Sequence, residues 1–179
     1  MCTLMIPDIT LADEIRAYRK AFLAAGDSMD GTGSLRRREN PADWIADNIQ
    51  CSRRETAPKN FVPATQFVYL REDGKIVGML QVRHELNGYL AVYGGHIGYS
   101  VHPDHRRKGY AAQMLRDALP YCRKIGLDRV LITCNAKNEG SRRTIVKNGG
   151  VYDGTAHEPN EDVDIERYWI SLGNKEEEQ

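Results

Sequence analysis

The chain has 179 residues, and its 25 Lys and Arg are balanced by 25 Asp and Glu, so the formal net charge is zero. That balance argues against a general nucleic-acid binder, which carries a basic excess, and the 41% hydrophobic content argues against a disordered acidic protein. A chain this long closes one core and buries about 70% of its unfolded surface without a disulfide or metal staple.

The four cysteines, Cys2, Cys51, Cys122 and Cys134, form no C-x-x-C pair and have no His pair at ligand spacing, so reduced thiols and no metal are expected. The first apolar stretch, Cys2 to Ile6, is too short for a secretion signal, and no run approaches the roughly 20 apolar residues of a membrane span. A cytoplasmic protein with no membrane partner is the expectation.

In chain order, Met1 to Pro7 reads as an edge strand. A helix follows from Thr10, with Thr10 and Asp13 as a capping-box-like pair, Leu11, Ile15, Tyr18, Phe22 and Ala25 on one face, and Gly26-Asp27 as its stop. Residues 26–39 are a polar loop with three glycines. Asn40-Pro41 starts a second helix, with Trp44, Ile45 and Ile49 facing inward. Residues 52–64 read as a loop.

Thr65 to Arg71 and Lys75 to His84 are β-rich runs joined at Asp73-Gly74, a strong hairpin signal. Asn87 to Gly95 links to a third strand, His96 to Val101. Lys108 to Ile125 reads as a helix with Ala111, Leu115, Ala118, Cys122 and Ile125 on one face, and Pro120 should kink it or remove a hydrogen bond. Arg129 to Cys134 is a central strand. Asn138 to Lys147 is a helix stopped by Asn148-Gly149, and Val151–Gly154 and Arg167–Leu172 are closing strands. The order β-α-α-β-β-β-α-β-α-β-β predicts an α/β layer sandwich, a mixed central sheet with helices on both faces. Residues 1–172 form a single domain in this reading, and 173–179 a charged, frayed tail.

The informative segment runs from His96 to Ala112: a strand, a basic loop and a helix start. A helix N-terminus offers unpaired N–H groups and a positive dipole end to an anion. Arg106, Arg107 and Lys108 add three positive charges there, Gly109 lets the backbone approach a ligand, and Ala111 permits close packing beneath the turn. A diphosphate suits these features. R-x-x-G-x-A alone also describes a solvated basic turn. The G-x-x-x-x-G-K-[ST] and G-x-G-x-x-G signatures of other phosphate-binding loops are absent.

With Val101-His-Pro103 before it, Arg106-Arg-Lys-Gly109-Tyr-Ala111 resembles the Q/R-x-x-G-x-G/A signature of the GNAT superfamily of N-acetyltransferases. Asn138-Glu-Gly-Ser141 and the helix ending Lys147-Asn-Gly149 match its second characteristic stretch. The strings Gly94–Ser100, Ile132–Cys134 and Arg167–Ile170 look like one bacterial branch of predicted acetyltransferases. The resemblance covers most of the chain and is strongest over residues 95–154.

The resemblance implies acetyl-CoA as acyl donor, with its diphosphate on Arg106 and the backbone N–H groups of Arg107, Lys108, Gly109, Tyr110 and Ala111. It places Tyr99, Ser100 and Val101 along the pantetheine arm, with an N–H near Val101 polarising the thioester carbonyl. Asn138 touches the cofactor, and Ser141 assists or is simply a polar helix-start residue. The family's proton-donating Tyr falls on Ile145, and Tyr110 and Tyr168 are the substitutes on offer. The family's occasional Glu base falls on Gly95. Its neighbour His96 is a base suited to neutral pH or a core histidine bonded to backbone, and His84 with Glu85 is a second option.

His102 and His105 serve turn geometry or surface charge. Cys134 is a core residue, a site-lining thiol or an unusual nucleophile. Arg36, Arg37 and Arg38 are a solvated loop, or recognise an acidic acceptor or the 3′-phosphate of CoA. The expected activity is acetyl transfer to a primary amine on a small molecule or peptide. A non-catalytic acyl-CoA sensor is the alternative, and a module binding nucleic acid or protein through Arg36–Arg38 and Arg106–Lys108 is a further one. No nucleic-acid partner is expected, and a homodimer is the commonest assembly for such a chain.

Overall fold

The computed structural model describes residues 1–173. The elements are β1 (Cys2–Met5), α1 (Ala12–Ala25), α2 (Pro41–Cys51), β2 (Ala64–Arg71), β3 (Ile76–Arg83), β4 (Ile97–Val101), α3 (Tyr110–Lys124), β5 (Arg129–Asn135), α4 (Glu139–Lys147), β6 (Val151–Glu158) and β7 (Val163–Ser171). This is the order read from the sequence. The expected tail lies, from residue 174 on, outside the described residues.

β2 and β3 are apolar on both faces, and the pleat sends alternate side chains into two cores. Phe67, Tyr69, Val77, Leu80 and Val82 pack with α3, while Val68, Ile76 and Met79 pack with Ile15, Tyr18 and Phe22 of α1 and Trp44 of α2. Helices therefore cover both faces. Gly78 is the contact point for α3, because a Cβ there would sit 2.9 Å from the Met114 sulfur.

The central sheet divides in two. β1-β2-β3-β4 is one antiparallel sheet and β5-β7-β6 another. β4 and β5 are neighbours across the join, linked by the crossover through α3 that runs two strands in the same direction. β5 is thus the edge strand of the second sheet, although Val130, Leu131 and Ile132 are fully buried. Full burial, rather than a flank on each side, gives it the β-rich sequence of a central strand.

Several local expectations change. A 3₁₀ turn, Ile9–Leu11, spans the expected start at Thr10 and leads into α1; Asp8 caps that turn, its carboxylate accepting from the Thr10 N–H at 2.8 Å, and Asp13 instead pairs with Arg16. Ile49 is 64% exposed, because α2 buries only its N-terminal half around Trp44. The buried face of α3 keeps Leu115, Ala118 and Cys122 of the expected stripe, with Ala112 and Met114 in place of Ala111 and Ile125. The helix continues past Pro120 to Lys124. Residues 90–94 form a π-helical turn, and β6 and β7 are both longer than expected.

Trp44 holds the glycine-containing loop after α1. Its indole N–H donates to the Thr32 carbonyl at 2.8 Å in a fully buried setting. Trp44→Phe leaves that carbonyl unpaired and a small void. Urea unfolding should show a loss of about 2 kcal/mol, or roughly 4–8 °C in Tm.

Candidate functional site

β4 and β5 are clamped at one end and part at the other. The His96 N–H donates to the Leu131 carbonyl at 2.7 Å, and the Leu131 N–H donates to Nδ1 of His96 at 2.9 Å. Gly95 permits the approach: its φ is +65°, and a Cβ would lie 2.5 Å from the Leu131 oxygen. Beyond this pair, among the described residues, no backbone hydrogen bond joins 97–101 to 132–135. β4 therefore presents an open edge to the gap, the kind of surface on which an extended amide-bearing ligand adds like a strand.

At the end of β4 the chain makes the basic turn. Arg107 adopts φ +62° and Gly109 φ +84°, which aims the backbone into α3. The first α3 hydrogen bond is Gln113 N–H to Gly109 C=O. The N–H groups of Tyr110, Ala111 and Ala112 thus have no helical partner. α1, α2 and α4 carry acidic residues in their first turns; α3 carries none and has no side-chain cap. This is the one long-helix start in the described residues that combines both features, and it favours an anion.

Of the three cations expected there, Arg106 is already engaged. It pairs with Asp27 at 2.7 Å, donates to the Val101 carbonyl at 3.3 Å and lies over the Phe22 ring. It fastens the turn to the end of α1. Arg107 and Lys108 are exposed, Lys108 bonding only the Asp104 carbonyl at 3.1 Å. Ser100 is also held from α1: Tyr18 lies 3.0 Å from its carbonyl and 3.1 Å from its hydroxyl.

On the β5 side a polar group gathers at the start of α4. The Tyr99 and Ser141 hydroxyls are 2.8 Å apart, and Asn138 caps the helix by accepting from the Ser141 N–H at 3.0 Å. Cys134 lies beside Ser141; burial and the Glu166 charge push its thiol up to about 11, so it is a neutral thiol at pH 7. Glu166 takes a two-pronged bond from Arg142 at 2.7 and 2.9 Å and accepts from the Tyr168 hydroxyl at 2.7 Å. Burial and that carboxylate push Tyr168 up to about 12.

The other expected catalytic groups fall elsewhere. His96 is buried, with Nδ1 used as an acceptor, so its proton sits on Nε2. Burial, then the nearby Arg83 charge, lower its pKa to about 4. It is the clamp between the sheets, with no free lone pair to act as a base. His84 meets Thr65 at 2.8 Å, and Thr65 meets Tyr121 at 2.7 Å. Tyr121 is eleven residues along α3 from Tyr110, or roughly 16 Å. The Tyr110 phenol lies beside Arg71 of β2, away from the gap. Tyr168 is committed to Glu166. Ile145 is fully buried in the core, so its position offers no proton donor.

Arg38 forms a two-pronged bond with Asp47 of α2, and Arg36 donates to the Asp27 carbonyl, so two of the three side chains in this basic run are already engaged. The ties from Tyr18, Asp27 and Glu166 were not evident from the sequence. Tyr18 read only as part of an apolar face, and the other two carried no motif. Among the described residues no group of three or more His, Cys, Asp or Glu could hold a metal, and no helix is long and apolar enough to cross a membrane.

The model of the acetyltransferase (GNAT) family matches residues 33–149. No curated protein matches the chain. Among solved structures it is similar to the ribosomal-protein-S5-alanine acetyltransferase of Vibrio fischeri (TM-score 0.71, 18% identity, 97% of this chain and 94% of that one). It is also similar to RimJ of Mycobacterium smegmatis in complex with CoA-disulfide (TM-score 0.70, 21% identity, 99% and 84%). A third likeness is to the microcin C7 self-immunity acetyltransferase MccE, in complex with acetyl-CoA and AMP (TM-score 0.69, 18% identity, 95% and 92%).

Proposed function

Since the chain belongs to the GNAT family of acetyltransferases, we propose that it transfers an acetyl group from acetyl-CoA to a primary amine of a small molecule or peptide, residues 1–172 acting as one domain. The observation that carries this reading is the uncapped, acid-free start of α3 at the mouth of the gap between β4 and β5. The backbone N–H groups of Arg107 to Ala111 bind the diphosphate, with the Arg107 and Lys108 charges beside it. Arg106 acts by holding the turn. The pantetheine arm lies along Tyr99, Ser100 and Val101, and a β4 N–H polarises the thioester carbonyl. Asn138 positions Ser141 through the helix cap.

The neutral amine attacks the carbonyl carbon, the C–S bond breaks, and the thiolate takes up one proton while the new amide nitrogen loses one. The hydroxyl pair Ser141–Tyr99 is the proton source at the gap that replaces the family's Tyr, since Ile145 cannot act and Tyr168 is bound to Glu166. His96 and His84 take no part in this mechanism, for the placements given above. Calorimetric titration should show acetyl-CoA binding, and a panel of amines should release CoA thiol. With the best amine of the panel, Ser141→Ala lowers kcat about tenfold with KM for acetyl-CoA unchanged. No binding at millimolar acetyl-CoA overturns the reading. Binding without thiol release from any amine favours the sensor reading, which the apolar Ile145 and the bare Gly95 support.

A further inference from the structure

We propose that the acceptor is an amine that also carries a carboxylate, and that Arg83 holds that carboxylate. This rests on the acetyl-transfer reading and extends it to the acceptor.

Arg83 ends β3, and its backbone N–H donates to the His96 carbonyl at 2.7 Å, beside the clamped end of the gap. One guanidinium nitrogen donates to the carbonyls of Gly94 and Gly95 at 2.9 and 3.0 Å. The other leans over Gly98, 3.5 Å from where a Cβ would stand, so the absence of a side chain at 98 leaves it room. Arg38, Arg71, Arg142 and Arg167 each have a carboxylate in contact; Arg83, among the described residues, has none. The residue is half-buried, and burial pushes its pKa down. A guanidinium stays charged in proteins, and one with no carboxylate in direct contact keeps donors free for an anion, with a planar fork that suits a carboxylate.

The same face supplies the opposite charge. Gly31 is pressed on β4, where a Cβ would meet the Gly98 oxygen at 2.2 Å, so the loop carrying Asp30 is fixed over the strand. Ser28 donates to the Asp30 carboxylate at 2.9 Å. The Asp30 charge is felt both at Arg83 and at Tyr99, the residue facing the gap. A negative group next to the gap and a positive group at its closed end match a ligand with its ammonium toward the thioester and its carboxylate beyond. A polyamine would put a cation against Arg83, which like-charge repulsion disfavours.

The test uses product-like ligands and needs no turnover. Protein saturated with CoA is titrated with N-acetylglycine and N-acetyl-L-glutamate and with their C-terminal amides. The acids should bind at least tenfold more tightly than the amides. Arg83→Gln should bring the ratio near one, and Arg83→Lys, which keeps the charge, should restore part of it. CoA affinity measured on each variant reports an intact fold. Equal binding of acid and amide, no binding of either at millimolar concentration, or an unchanged ratio in Arg83→Gln overturns the proposal and leaves the acetyl-CoA reading standing. Failure of the wild type to bind CoA overturns both.

Discussion

Replacing Arg107 and Lys108 together by glutamate should weaken acetyl-CoA binding by at least 100-fold while moving the melting temperature by no more than about 2 °C. Both side chains are exposed and neither has a carboxylate in contact among the described residues, so the fold loses little. The ligand loses much more. Reversing a charge within about 6 Å of a diphosphate at an intermediate dielectric changes the interaction by about 1.5–3 kcal/mol, and two reversals multiply to 100-fold or more. Wild-type affinity should also fall as salt rises, and the variant's should fall less. Arg106→Ala gives the contrast: its charge is paired with Asp27, so the variant loosens the turn, with a small loss of both affinity and stability. An unchanged affinity in the double variant would mean that the diphosphate is not at the start of α3.

The contrast between these arginines shows what could be read from the chain and what could not. The element order and the turn sit in contiguous residues, where periodicity, Asp73-Gly74, Asn40-Pro41 and Arg106–Ala111 speak for themselves. Which of three adjacent cations is free does not, because the residue that occupies Arg106 is Asp27, at the far end of another helix. The same holds for His96: its pKa in isolation suits a base, but its acceptor nitrogen is taken by Leu131, 35 residues on. The expected Thr10–Asp13 pair does not form, because the Asp8 carboxylate takes the Thr10 N–H and caps the 3₁₀ turn that leads into α1. The hydroxyl pair proposed in place of a Tyr at 145 was also hidden. Ser141 and Tyr99 each carry a hydroxyl, but only the packing of α4 beside β4 brings the two within 2.8 Å.

That clamp yields the largest expected effect on stability. The folded state keeps the His96 imidazole neutral, lowering its pKa from the ordinary 6.5 to about 4, first through burial and then through Arg83. The unfolded chain binds this proton more readily than the folded one. The contribution is therefore complete above about pH 6.5 and is lost as pH falls from there toward 4, a change of about 3 kcal/mol. His96→Asn offers an oxygen near the place of Nδ1 and does not titrate. At pH 7.5 it should be about 1–2 kcal/mol less stable than the wild type, from lost packing around a ring that is 5% exposed. Between pH 6.5 and 4 that deficit should close and then reverse, since only the wild type weakens through this group; carboxylates titrating nearby are common to both proteins and cancel. Urea unfolding at half-unit pH steps measures the difference, and parallel curves would show that His96 is not held neutral. The functional counterpart follows from the same atoms. A protonated imidazole has no lone pair for the Leu131 N–H, so below about pH 4 the closed end of the gap loses one of its two bonds. Acetyl-CoA affinity should then fall in the wild type before global unfolding, and not in His96→Asn.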